Sequence, residues 1–156
     1  MVDVHDRLRS IRLRAVAFLL AAVGVPLSGC VDTLLDAHFA TTQEAKDAGY
    51  VDRGWIPSWI PASATDIHES HDVDTRVSML AFSLPDPGAL VLPDTCRPVE
   101  RAQVLPPPLD RAWWPDEASL RTSYVFFRCS ADHTTHRFVG LSAQQARVLH
   151  WRTYGK

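Results

Sequence analysis

Eight of the eleven prolines fall between Pro85 and Pro115, including the run Pro106-Pro107-Pro108. Proline has a fixed φ and no backbone N–H, so this stretch is hostile to regular elements, above all to long helices and central strands. The regular framework must come from the sequence on either side. Arg76 to Leu84 (RVSMLAFSL) is apolar on both of its alternating faces, which predicts a strand in the sheet interior. Thr122 to Cys129 (TSYVFFRC) is rich in aromatic and β-branched residues and reads as a second strand. His136 to Leu141 and Arg147 to Tyr154 read as two more, joined by Ser142 to Ala146, so the last three strands are expected to form an antiparallel meander.

Helical signals are short. Thr41-Thr42-Gln43-Glu44 opens a helix, with Thr41 as N-cap, Glu44 as its capping-box partner and Gly49 as terminator. Ser63 is expected to cap a second helix running to Ser70, with Asp66 near its positive end. Asp116 to Arg121 reads as one helical turn. The segment Gly54 to Pro61 suits an extended, packed loop, and His71-Asp72-Val73-Asp74-Thr75 a turn into the first clear strand. Together these predict an α+β domain, a small and mostly antiparallel sheet with short helices.

The first 29 residues are set apart. Arg7, Arg9, Arg12 and Arg14 precede Ala15 to Pro26, an apolar run of twelve residues, where a spanning helix needs roughly 20. Leu27-Ser28-Gly29-Cys30 then looks like the lipobox of bacterial lipoproteins, with small residues leading to a thiol. We expect residues 1–29 to be a signal peptide, Cys30 to be lipidated, residues 30–37 to be a tether and 38–156 a single domain. Acyl chains such as palmitate on Cys30 would hold the chain to a bilayer at roughly 0.8 kcal/mol per buried methylene. Val31 rather than aspartate follows Cys30, which favours the outer membrane, facing the periplasm.

Removing residues 1–29 takes four arginines and two aspartates from 16 basic and 18 acidic residues, leaving 12 against 16. An acidic balance without a basic run argues against nucleic acid as a partner. Of three cysteines, Cys96 and Cys129 remain beside Cys30, and in an oxidising compartment they are expected to pair. Neither has CxxC spacing, so zinc thiolate chemistry is not expected.

From Arg53-Gly54-Trp55-Ile56-Pro57 through His71-Asp72-Val73-Asp74-Thr75 the chain resembles small bacterial envelope lipoproteins with the pattern RGWxPxxxPxxAxxIxxxHDxDT, the family called YbbD head-domain-like. The resemblance runs from about Phe39 to Phe82, with the strand ending in Trp151-Arg152 also similar. It implies a compact lipoprotein domain without established chemistry. Relatives lie near genes for secreted toxins, so it also implies an immunity or accessory role as an alternative.

Asp66, His68, His71, Asp72 and Asp74, with the pair His133 and His136, offer imidazole and carboxylate groups at spacings a divalent metal requires. If the fold brought the pairs together they would make a metal centre, the basis of a metal-binding or metal-dependent enzyme reading. The bland alternative is a set of turn and strand hydrogen bonds. HExxH is absent, since position 72 is aspartate, and so is GxSxG. We therefore expect no enzyme and no cofactor. Five tryptophans suggest core filling, with Trp113 and Trp114, beside the proline-rich loop, as candidates for a groove that binds peptide or glycan; another envelope protein is the macromolecular partner to consider.

Overall fold

A computed structural model describes residues 33–130 and 134–154. The expected signal peptide, Cys30 and His133 lie outside the described residues.

The chain forms one sheet of seven antiparallel strands. They are β1 (Leu34–Thr41), β2 (Thr65–Asp72), β3 (Ser78–Ser83), β4 (Cys96–Val99), β5 (Val125–Ser130), β6 (Thr135–Ser142) and β7 (Arg147–Tyr154). Their order across the sheet is β1-β2-β3-β7-β6-β5-β4. β3 lies between β2 and β7 and is buried on both sides, as its apolar pattern predicts, and β5 to β7 form the expected meander. The balance is more β than an α+β domain: the only α-helices among the described residues are α1 (Thr42–Asp47) and α2 (Glu117–Ser123). No helix among the described residues is long and apolar enough to cross a membrane.

α1 starts and stops on the residues expected. The Thr41 side chain accepts from the Glu44 N–H at 3.2 Å, and Glu44 reaches back to the Ala40 N–H at 2.8 Å. Gly49 takes φ +75°, while its own N–H and that of Tyr50 return to the carbonyls of Lys46 and Ala45. Asp116 caps α2 by accepting from Ser119 N–H at 2.7 Å.

The helix expected from Ser63 to Ser70 is instead strand β2. Its polar sequence TDIHESHD hides a period of two: Ile67, Glu69 and His71 face one side and His68 and Ser70 the other. Pairing on both edges, with β1 and β3, satisfies the backbone better than one isolated helical turn could. Asp66 is no helix-end residue either. It sits in a bulge at φ +48°, where the register with β3 shifts between Thr65 and His68. β1 likewise begins at Leu34, inside the stretch read as a tether.

Both faces of the sheet are covered. On one, Ala45, Ile56, Ile60 and Ala64 pack over Ile67, Leu80, Phe82 and Val148. On the other, Val104 and Leu120 from the proline-rich third pack over Met79, Phe126, Phe138 and Trp151. The part of that third from Val99 to Leu120 is therefore a lid, fastened by the Trp151 indole N–H, which donates to the Leu105 carbonyl at 3.1 Å, whereas Ala89, Leu90 and Leu92 pack against the first face. β4 is a short edge strand and contains Pro98, a position proline tolerates only at an edge. Cys96 stands directly opposite Cys129 and the two are joined in a disulfide, with Cα atoms 3.9 Å apart. This is tighter than the about 4.4 to 6.8 Å usual for a disulfide.

Candidate functional site

The expected His/Asp cluster does not assemble as a unit. His71 faces the side of Ile56 and Ile67, whereas His68 faces the proline-rich lid. The Asp72 carboxylate accepts from the N–H groups of Asp74 and Thr75 at 2.8 and 3.0 Å, so it shapes the turn between β2 and β3. His136 lies on β6, three strands from β2, where Arg128 donates to its Nδ1 at 2.8 Å. The four-histidine arrangement is thereby excluded for His71 and His136.

A different trio meets at the edge of the sheet. His38 on β1 stands directly opposite His68 on β2, with rings 4.3 Å apart. Both Nε2 atoms lie 3.1 Å from Oδ1 of Asp66, and the possible ligand atoms are all within 4.8 Å of one another. Arg147 donates to the other Asp66 oxygen at 2.7 Å. Partial burial alone would raise the Asp66 carboxyl, but the hydrogen bonds from Arg147 and His38 bring it down to about 2. Such a set can hold a divalent cation or stand as a hydrogen-bonded cluster around one carboxylate. Sequence reasoning missed His38 because it is 28 residues from Asp66. Only the β1–β2 register brings them together.

Trp113 stacks near His68, with ring centroids 5.6 Å apart, and with Arg111 it walls an open groove beside the trio. Arg111 also bridges the lid to β1, donating to both oxygens of Asp36 at 2.6 and 3.1 Å. Trp114 turns inward and meets Trp151 edge-on at 5.5 Å. The two candidate tryptophans thus point to different places, both partly buried.

The opposite face holds a cleft of about 250 Å³. Arg137, Arg152, Ser78 and His150 line it from the strands, with Ser58 and Trp59 from the loop before β2 and Thr95 from the segment before β4. Arg152 also lies over the Trp55 ring, 5.4 Å from its centroid, and Trp55 stacks on His71 at 3.7 Å. Burial, reinforced by Arg137 and Arg152, lowers the His150 imidazole to about 3, so it is neutral. Nothing in the sequence singled out this cleft, because its residues come from four strands and two loops.

These features define a class: a two-faced antiparallel sheet domain, stapled at one edge by a disulfide, with a histidine-rich edge and a basic cleft. Residues 33–83 match the family model of the YbbD head domain, so this segment, β1 through β3 with the loop that covers them, is YbbD head-domain-like. The match covers about one third of the chain and leaves out β4 to β7. No curated protein and no solved structure matches the chain.

Proposed function

We propose that this chain is a membrane-anchored lipoprotein of the bacterial envelope with a noncatalytic binding role. The observation that carries this reading is the Cys96–Cys129 disulfide. Such bonds persist in oxidising compartments, and this one leaves Cys30 as the single remaining thiol of three, at the end of the Leu27-Ser28-Gly29-Cys30 signal. Its anchoring partner is the lipid bilayer, through acylated Cys30 in the outer membrane and facing the periplasm. The cleft supports binding, since it is a concave site with polar groups converging on a small volume. Intact-mass analysis of membrane-extracted protein tests the anchor: a chain beginning at Cys30 and carrying acyl mass is expected, and soluble full-length protein would overturn the reading.

A second reading, a metal-binding protein, is supported by the convergence of His38, Asp66 and His68. Arg147 on the same carboxylate weighs against it, because a fixed positive charge repels a cation at that distance.

A further inference from the structure

One line of strand partners crosses the sheet from Cys96 through Cys129, Arg137, Arg152 and Ser78 to His71. It sets Arg137 on β6 directly opposite Arg152 on β7. Like charges in that position repel, and a sheet built for stability alone would place a carboxylate there. Among the described residues, the ion pairs engage Arg101, Arg111, Arg121 and Arg147 and leave both of these guanidinium groups without a carboxylate. The buried acid Glu69, on β2 two strands from Arg152, is held in its protonated form and does not neutralise them.

Two orphaned atoms add a second, independent sign. Nδ1 of His150 has no hydrogen-bond partner, and His150 is only 8% exposed. Nε of Arg152 is likewise buried and unpartnered. Both residues line the same cleft, so two of the four buried unpartnered side-chain atoms among the described residues collect at one place. Buried polar groups without partners are rare because they lose hydration and gain nothing in return. A ligand that supplies several acceptor oxygens at once would offset the charge of both arginines and bond the guanidinium N–H groups that reach the cleft.

We propose that this cleft binds an oxyanion, a carboxylate or phosphate group of a small ligand, held between the guanidinium groups of Arg137 and Arg152 beside His150. The fork geometry of guanidinium suits the paired oxygens of either group. Ser58 and Thr95 in the lining offer hydroxyls, and Trp59 offers an apolar wall for the rest of the ligand. The cleft is small, so it takes the charged group and a short body rather than a polymer in full. The assignment rests on the binding role proposed above and names its ligand chemistry.

The test titrates the mature, detergent-solubilised protein with inorganic phosphate and with acetate, at constant ionic strength kept by chloride, following heat of binding and thermal unfolding. Saturable binding that raises the unfolding temperature is expected for at least one oxyanion and not for chloride. Arg137→Gln should raise the unfolding temperature of the free protein, by removing the repulsion, while weakening oxyanion binding at least tenfold. Arg137→Lys should recover part of the affinity. Arg128→Gln, a change outside the cleft, should leave binding unchanged. Unaltered oxyanion binding in Arg137→Gln, or equal loss in Arg128→Gln, would overturn the site. N-acetylglucosamine serves as a neutral probe: binding of it without any oxyanion response overturns the oxyanion but leaves the binding role standing. Silence toward all three probes in folded protein overturns both.

Discussion

Glu69 is fully buried, and its carboxyl lies 2.9 Å from Nδ1 of His71, two residues further along the same face of β2. Burial, with the Asp36 charge nearby, raises the Glu69 carboxyl to about 9 against the pull of Arg152. Burial, with Arg53 and Arg152, lowers the His71 imidazole. The pair is therefore a neutral one: the acid keeps its proton and donates it to the ring, and no ion pair forms.

This sets a pH dependence. The unfolded chain releases the Glu69 proton near 4.5, whereas the folded chain keeps it up to about 9. Between those values the unfolded state binds fewer protons, so stability falls as pH rises. His150 has the opposite sign: unfolded it takes a proton near 6.5, folded only near 3, so stability is lost as pH falls from 6.5 toward 3. Only the Glu69 effect acts between pH 6.5 and 9. Denaturant melts across that range should show decreasing stability in the wild type and a flattened slope in Glu69→Gln.

Removing the disulfide should cost roughly 2 to 5 kcal/mol. β4 is only four residues long and leans on one neighbour, so hydrogen exchange in Cys96→Ala/Cys129→Ala should speed up first in Cys96–Val99. Uniform loss of protection across all strands would contradict this local picture.

Cys30→Ala should release the protein from the membrane fraction or stall it as an uncleaved precursor, with the fold of residues 33–154 unaffected. Density-gradient fractionation of the wild type is expected to place it with the outer membrane.

For the edge trio, metal analysis of purified wild type beside His38→Ala, His68→Ala and His71→Ala separates the readings. Stoichiometric metal lost in the first two and kept in the third would establish the metal site. A metal-free wild type would leave a hydrogen-bonded cluster, in which Asp66→Ala removes the carboxylate from Arg147, leaving it the Ser83 hydroxyl, and destabilises the bulge by about 1 kcal/mol.

Strands whose residues alternate or run apolar were legible in the sequence: β3, β6 and β7 lie where RVSMLAFSL and the later segments place them, and β5 starts three residues later than expected because α2 runs on through Thr122 and Ser123. So were the caps at Thr41 and Asp116, because capping chemistry is local. β2 was not, since its polar side chains are buried through partners that only the sheet supplies, such as Glu69 with His71 and Ser70 with Arg111. β4 hid inside the proline-rich third, where Pro98 argues against a strand unless the strand is an edge. The histidine trio and the basic cleft were illegible for one reason. Each is assembled by register between strands distant in sequence, as with His38 and His68 or Arg137 and Arg152.

The brevity of β4 and its proline bear on how copies of this protein meet. An open sheet can be lengthened by any extended chain that finds unpaired N–H and C=O groups along its last strand, which is how native domains polymerise into fibres. Here that border offers only four residues, one without an N–H, held flush to the next strand by a covalent bond. An intruding segment would find too few ladder positions to gain a foothold, so crowding should not drive growth of the sheet from this side.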